Sequence, residues 1–426
     1  MTQQHLARSP GRWLLTAWVG VLAACGGGGG SSSSNGVPTV SAPQAEGLNV
    51  QAVRVGPGPV GAPRVANVLY TQVRVCAPND ASNCQIIDHV LVDTGSTGLR
   101  LLKSAVTPTL RAALPGNNLY SCVQFLDGSY MWGPVVKADV SMGGDQLRNL
   151  TAGSLPIQLV INSTELPAPA GGCAGSSEDQ AERSNDDVSK LGANGILGIG
   201  TDPQDCGNYC TIVSNNGRYY TDTPTVTGTT VALTEQVQQP VSRFASDNNG
   251  TLIELPLVPA TGASVANGWL IFGIGTQSNN ALGSATVFRF TDPSQYAQFF
   301  TAYGAKTGLQ GFIDSGSNGL FFGSRSEPAF AFCADGADPS PWYCPASTVS
   351  LAVTNRSLVS AGTTSAVDLP IANATALFSN TAAYAYSNLA GDIGRSDLFD
   401  FGLPFFYGRR IFTGMSMDGQ APYVAY

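Results

Sequence analysis

Charge is scarce in this sequence. Only 12% of its 426 residues are Asp, Glu, Lys or Arg, about half the share of an ordinary soluble domain. No block of Lys or Arg relieves that scarcity, and a net charge of −8 is the wrong sign for a nucleic-acid partner. Histidine is almost missing, with His89 the sole one beyond the N-terminal segment. A zinc site would have to draw on it without the help of any Cys-x-x-Cys pair, so no metal is expected. A Gly-x-Ser-x-Gly turn is absent too, which removes the nucleophile of one large class of serine hydrolases. His89 itself sits in an apolar run leading to Asp93, where a core or strand-edge role outweighs a place in a triad. The apolar stretch from Trp13 to Ala24 stops short of the ~20 residues that span a membrane as a helix.

Turn-forming residues and short apolar runs take the place of what is missing. With 50 glycines and 26 prolines, the chain breaks every few residues from Leu48 onward. Runs rich in Val, Ile, Leu and Phe fall between the breaks: Val65–Val75, Ile86–Val92, Val135–Met142, Thr251–Val258, Trp269–Ile274 and Ala285–Phe290. That pattern predicts an all-β protein. Helices should be few, with Pro293–Ala305 and Pro328–Ala334 as candidates. The polar, small-residue stretch Ala168–Lys190 reads as an exposed insertion.

The N-terminus carries an address. Arg8 and Arg12 precede the apolar stretch, which closes on Leu22-Ala23-Ala24-Cys25 and resembles a bacterial lipobox. The resemblance implies lipidation of Cys25 and anchorage in the cell envelope, with Gly26 after it favouring the outer membrane; an ordinary secretory signal is the alternative. Gly26–Ser34 has the composition of a flexible tether. Without Cys25, eight of the nine cysteines remain, an even number suited to an oxidising compartment. Local pairs Cys76/Cys84, Cys206/Cys210 and Cys333/Cys344 would close small loops, leaving Cys122 for Cys173, although eight cysteines allow many other pairings.

One seven-residue phrase occurs twice. Asp93-Thr94-Gly95-Ser96-Thr97-Gly98-Leu99 and Asp314-Ser315-Gly316-Ser317-Asn318-Gly319-Leu320 agree at five positions, and each follows an apolar run. A single duplication at this distance points to two similar halves rather than a repeat array. Taken alone, either copy could be an ordinary turn, since Asp, Gly and Ser favour turns. Two copies, one carboxylate in each, suggest a pair of aspartates at the junction of the halves.

Ordered landmarks around the two copies carry a family resemblance. Phe125-Leu126-Asp127-Gly128-Ser129 follows the first copy like a flap hairpin, and a strand then runs to Met142-Gly143-Gly144. Asn194-Gly195-Ile196-Leu197-Gly198-Ile199-Gly200 follows as a threading element, then Gly268-Trp269-Leu270-Ile271-Phe272-Gly273 as a central strand. Phe399-Asp400-Phe401-Gly402-Leu403-Pro404-Phe405-Phe406 stands in the matching place after the second copy. In this the chain resembles the pepsin-type aspartic proteases, and within that clan the uncharacterised bacterial family known as domain of unknown function 3443. The resemblance implies a bilobal pepsin-like double β-barrel with pseudo-twofold symmetry and few short helices. It divides the chain into a signal (1–25), a tether (26–47), a first lobe with the central sheet (48–275) and a second lobe (276–426).

It also implies the chemistry. A peptide amide needs an activated water and a proton donor, and two touching carboxyls that share one proton supply both, as the aspartate pair of pepsin does. Asp93 and Asp314 would be the pair, with no cofactor required. Gly95 and Gly316 permit the sharp turns. By resemblance, Ser96 and Ser317 donate to the outer carboxylate oxygens, while Thr94 and Ser315 bond across to the opposite turn. Donors of this kind predict an acidic optimum. The sequence departs from the pattern where Phe125 replaces the usual flap tyrosine, with Tyr130 or Tyr120 as stand-ins for contacting substrate. Arg100 replaces a supporting tryptophan, and it is expected to face solvent rather than an acidic substrate group. Asp400 replaces an apolar residue, and no basic pro-segment is evident between Cys25 and Leu48. The leading expectation is an envelope-tethered endopeptidase acting on extended peptides. A non-catalytic peptide- or glycan-binding relative is the second reading, and a structural envelope role the third.

Overall fold

The computed structural model describes residues 37–426 apart from 145, 170–171, 176–179, 223–224, 292–296, 335–339, 361 and 418. Cys25, the segment before it and the whole Gly/Ser run Gly26–Ser34 lie outside the described residues. Strands make the fold, while the α-helices among the described residues run only four or five residues. Period-two burial shows why. In Val50–Val55, Val53 and Val55 turn inward while Ala52 and Arg54 face water, and Val349–Ser357 alternates in the same way. Gly195–Ile199 and Leu320–Gly323 are buried at every position, as strands covered on both faces must be. Each Val or Leu taken fully inside contributes about 1.5–3 kcal/mol.

The larger sheet contains a closed ring. Tyr130–Met142, Leu150–Val160, Thr97–Leu102, Gly195–Ile199, Asp80–Asp93 and Leu69–Ala77 pair in that order, and the last returns to the first through Val75↔Val140. Closure leaves no free edge on the ring. The sheet then continues through Val50–Val55, Val265–Phe272, Gly250–Glu254, Arg410–Gly414, Tyr423–Ala425 and Val287–Arg289, so the end of the chain joins the sheet that its beginning started. A second sheet orders Thr364–Ile371, Val349–Ser357, Phe299–Tyr303, Lys306–Ile313, Arg395–Phe401, Leu320–Gly323 and Ala390–Gly391.

One local topology occurs in both sheets. Asp80–Asp93 enters the first repeated turn and Thr97–Leu102 leaves it, with Gly195–Ile199 threaded between them. The threaded strand is parallel to the entering one (Asp93↔Gly198) and antiparallel to the leaving one (Gly98↔Gly198). In the second copy Lys306–Ile313 enters, Leu320–Gly323 leaves and Arg395–Phe401 is threaded, with Ile313↔Phe401 parallel and Leu320↔Phe401 antiparallel. Each turn is thus clamped on both sides by backbone pairing.

Three sequence expectations need correcting. Within Pro293–Ala305 there is a strand, Phe299–Tyr303, paired on both sides; Phe299, Thr301 and Tyr303 alternate inward, and that aromatic period of two overrides the helical reading. Pro328–Ala334 forms no helix, because it is drawn into a bridge between Phe332 and Tyr343 and the Cys333–Cys344 link. The described part of Ala168–Lys190 is not simply exposed: Cys173, Ala174, Ser184 and Asp186 are buried, since Cys173 is tied to Cys122 and Asn185 N–H donates to the Tyr130 carbonyl. The disulfides are Cys76–Cys84, Cys122–Cys173, Cys206–Cys210 and Cys333–Cys344, the pairing the spacing suggested. Four disulfides mark an extracytoplasmic protein. Among the described residues, no helix is long and apolar enough to cross a membrane.

Candidate active site

The two repeated turns meet face to face. Asp93 ends its entering strand and is 6% exposed, while Asp314 is half-buried at the matching point. Their carboxyls lie close enough for the charge of one to bear on the other. The backbones come just as close: a Cβ added at Gly95 would sit 2.7 Å from the Asp314 carboxylate, and one at Gly316 would sit 2.6 Å from Asp93 Oδ1. Only glycine leaves room for the opposite acid at these two positions.

Within each turn the carboxylate is held from both ends. Gly95 N–H donates to Asp93 Oδ1 at 2.8 Å and Gly316 N–H to Asp314 Oδ1 at 2.7 Å. The Ser96 hydroxyl donates to Asp93 Oδ2, and the Ser317 hydroxyl to Asp314 Oδ2 at 3.0 Å. Between the turns runs a reciprocal brace. Thr94 N–H donates to Ser315 Oγ (3.0 Å), and Ser315 N–H donates to Thr94 Oγ1 (2.9 Å). The hydroxyls pass their own protons onward, Thr94 to the Ile313 carbonyl (3.3 Å) and Ser315 to that of Val92 (2.7 Å). Thr94 and Ser315 are buried, so losing either hydroxyl would strand an N–H out of reach of water.

Burial, and then the neighbouring charge of Asp314, hold the Asp93 carboxyl well above the usual range, against the donors Ser96 and Gly95. One proton shared over the pair relieves that conflict, and the titration belongs to the pair rather than to either residue. Gly95 is exposed, so the pair is reachable from solvent on that side. The arrangement can hold a water between an acceptor and a donor. Among the described residues, no group of three or more His, Cys, Asp or Glu converges as metal ligands would.

The hairpin after the first turn joins Gly116–Gln124 to Tyr130–Met142, with Gln124 opposite Tyr130. Asp127 Oδ1 accepts from Ser129 N–H at 2.8 Å, which makes it a turn residue. Phe125 is half-buried against a cluster containing Val123, Met131, Ile196 and Leu91. Tyr130 is 1% exposed among Cys122, Trp132 and Cys173 and has no surface to offer a substrate. Tyr120 stacks on Trp132 with ring centroids 5.3 Å apart.

Arg100 does not face solvent as expected. It is 1% exposed, and its guanidinium meets Asp205 Oδ2 at 2.6 Å, Gln158 Oε1 at 2.5 Å and Ser121 Oγ at 3.2 Å. Asp205, more than a hundred residues downstream, gave no local sign of being its partner. Asn67 was also missed. Buried at φ 56°, it donates to the carbonyls of Asn318 and Tyr386, both at 2.9 Å, and accepts from Tyr386 N–H and Tyr407 Oη, both at 2.8 Å. It pins the second turn to a segment that precedes the first. The preference of Asn for left-handed backbone is the one sequence signal it offers.

No curated protein matches the chain. The model of one family, described as a protein of unknown function (DUF3443), matches residues 45–426. The chain belongs to that family.

Proposed function

We propose that this protein is an envelope-tethered aspartic endopeptidase of pepsin-like, bilobal, double-barrel architecture, acting on extended segments of peptide or protein. The observation that carries this reading is the close meeting of Asp93 and Asp314 within two cross-braced turns. In the reaction the ionised member takes a proton from a bound water, and the protonated member donates to the scissile carbonyl oxygen. Attack yields a tetrahedral diol, whose collapse delivers a proton to the leaving nitrogen. Ser96, Ser317 and the N–H groups of Gly95 and Gly316 hold the carboxylates still throughout, so little reorganisation accompanies the charge movement. Lipid on Cys25 and the Gly/Ser run would tether the enzyme to the membrane, most naturally the outer membrane of a two-membrane bacterium.

The half-buried Phe125, which stands in the flap with no hydroxyl to order a substrate, favours a second reading as a peptide- or glycan-binding module. One experiment separates them. Protein lacking residues 1–25 is incubated with denatured casein from about pH 3 to 7, the range spanning a shared-proton pair, with and without a statine-type inhibitor. Inhibitor-sensitive cleavage, best on the acid side and lost in Asp93→Asn, is the expected result. Cleavage that survives in both Asp93→Asn and Asp314→Asn would overturn it, and peptide retention without cleavage would favour the binding module.

A further inference from the structure

The two turns are not held alike from behind. In the first, the ladder with the threaded strand begins at Thr97, and the next threaded residue, Gly200, donates its N–H to the Ser96 carbonyl at 2.8 Å. Leu99 pairs with Leu197 and Leu320 with Phe401, so Pro404 takes the place of Gly200 in the second copy, and proline has no N–H to give. There the ladder begins only at Leu320. Leu403 N–H reaches the Ser317 carbonyl instead, at 2.7 Å, as the threaded chain turns off into the short 3-10 helix Leu403–Phe406. Asn318 is left between Ser317 and the start of the ladder.

Asn67 takes hold of the chain at that point. Its Nδ2 donates to the carbonyls of Asn318 and Tyr386, both at 2.9 Å, while its Oδ1 accepts from Tyr386 N–H and Tyr407 Oη, both at 2.8 Å. Two donors and two acceptor lone pairs are the whole capacity of an amide side chain, and neither a carboxylate nor a hydroxyl offers that set. The bond to Asn318 also crosses between sheets. Asn67 stands two residues before Leu69–Ala77 in the larger sheet, and Asn318 two residues before Leu320–Gly323 in the smaller. Outside its own turn, the Ser317 backbone is bonded only through its carbonyl to Leu403. One such bond still lets the residue swivel, and a second, one carbonyl further on, does not.

We infer that Asn67 is a positioning residue of the site: by holding the Asn318 carbonyl it fixes the backbone of Ser317, and with it the aim of the Ser317 hydroxyl at Asp314 Oδ2. The inference rests on the proposed role of the Asp93–Asp314 pair and deepens it, because the acid of the second turn then depends on a residue outside both turns. A hydroxyl that donates to a carboxylate favours its ionised form. Loosening Ser317 therefore raises the pH at which the pair takes up its proton.

The test uses the full-length chain in detergent, with carbon-13 at the aspartate carboxyls and nitrogen-15 at the asparagine side chains. Wild type and Asn67→Gly are compared with and without Ser317→Ala; glycine accepts the positive φ of Asn67 and removes the amide. Arg64→Gln is the comparison for docking alone, since Arg64 bonds Thr381, Asn380, Ala383 and the Tyr386 hydroxyl rather than either turn. Asn67→Gly should raise the titration of the Asp93–Asp314 pair by about half to one pH unit, the share of one donor. It should add nothing to the shift already made by Ser317→Ala. In casein cleavage it should lower kcat by about 10- to 100-fold with KM held within a few-fold, while Arg64→Gln leaves titration and kcat as in wild type. The Asn67 side-chain nitrogen resonance of wild type should itself move as the pair titrates, because coupling is reciprocal, and that reading needs no variant to fold. An unmoved titration in folded Asn67→Gly, a shift that adds in full to that of Ser317→Ala, an equal shift in Arg64→Gln, or an Asn67 resonance flat across the pair's titration would each overturn the inference. The expected shift without casein cleavage by wild type would sink the protease reading and keep this one, while cleavage with an unmoved titration would do the reverse.

Discussion

The two repeated turns are alike where they touch and unlike in the walls behind them. At the contact each contributes one carboxylate, one glycine N–H, one serine hydroxyl and one arm of the brace, with matching partners. Seven residues past each aspartate the likeness ends. Arg100 stands there in the first copy, in a buried polar network with Asp205, Gln158 and Ser121. Phe321 stands there in the second, its ring 5.4 Å from Trp342, near a stack of Phe322 on Phe399 at 4.6 Å. Chemistry at a shared contact constrains both copies together, because neither half can change its arm alone. Support behind the contact needs only to fill space and satisfy its own polar groups, so each half has found its own solution.

The largest effects belong to the shared contact. Asp93→Asn and Asp314→Asn should each lower casein cleavage by at least about 10³-fold, within the range for a lost acid or base, since one proton shared over two sites makes both indispensable. A variant retaining a tenth of the activity would show the pair unequal. Stability should respond in the opposite sense. The Asp93 carboxyl is raised on folding, so the unfolded chain, titrating near about pH 4, gives up its proton first. Folded wild type therefore contributes its full stability below that pH and loses part of it as the pH climbs through the raised value. Asp93→Asn escapes this loss, so its advantage in Tm should grow from pH 4 toward pH 7, read by thermal unfolding at matched ionic strength.

The supporting walls should differ in kind rather than in size. Arg100→Met leaves Asp205 buried and unpaired, at a cost of about 3–5 kcal/mol. Phe321→Ala opens a cavity at a comparable cost of about 3–5 kcal/mol. Only the first can be repaired by removing its partner: Arg100→Met with Asp205→Leu should recover most of the loss, because a well-packed apolar replacement of a buried pair is often neutral. Urea titration of the single and double variants checks this. If the double variant stays as unstable as Arg100→Met, the loss comes from the polar groups left behind, Gln158 and the Tyr219 hydroxyl that bonded Asp205.

Much of this architecture was legible in the linear chain because its signals are local. Short apolar runs between Gly and Pro breaks exposed several strands, the repeated phrase exposed the pair, and three disulfides followed from proximity along the chain, leaving Cys122 for Cys173. The errors arose where a distant partner decides. Phe299–Tyr303 passed for helix because the ladders that claim it, Lys306–Ile313 and Val349–Ser357, come later in the sequence. Arg100 passed for a surface residue because charge alone argues exposure, and only the arrival of Asp205 permits burial. Tyr130 passed for a flap contact because hairpin register decides which face a side chain takes, and here the Cys122–Cys173 link draws it inward. Asn67 needed four hydrogen bonds to three distant residues to explain it.

The smallest expected effect tests whether the brace is as symmetric as its distances. Thr94 and Ser315 differ by one methyl group and are both buried. Thr94→Ser removes a methyl from the first arm, and the lost burial should cost about 0.8 kcal/mol. Ser315→Thr pushes a methyl into the second, with an overpacking cost of about 1–3 kcal/mol. Neither change removes a hydroxyl, so all four bonds of the brace can persist and cleavage should fall by less than a few-fold. The two positions lie in direct contact, so their effects need not add. If the arms are interchangeable, Thr94→Ser with Ser315→Thr moves the methyl across the junction into the space just vacated, and the double variant should be more stable than the sum of the single losses by about 1 kcal/mol. Strict additivity would mean that each methyl packs only against its own sheet, and that the equality of the arms extends to their hydrogen bonds but not to the apolar atoms beside them.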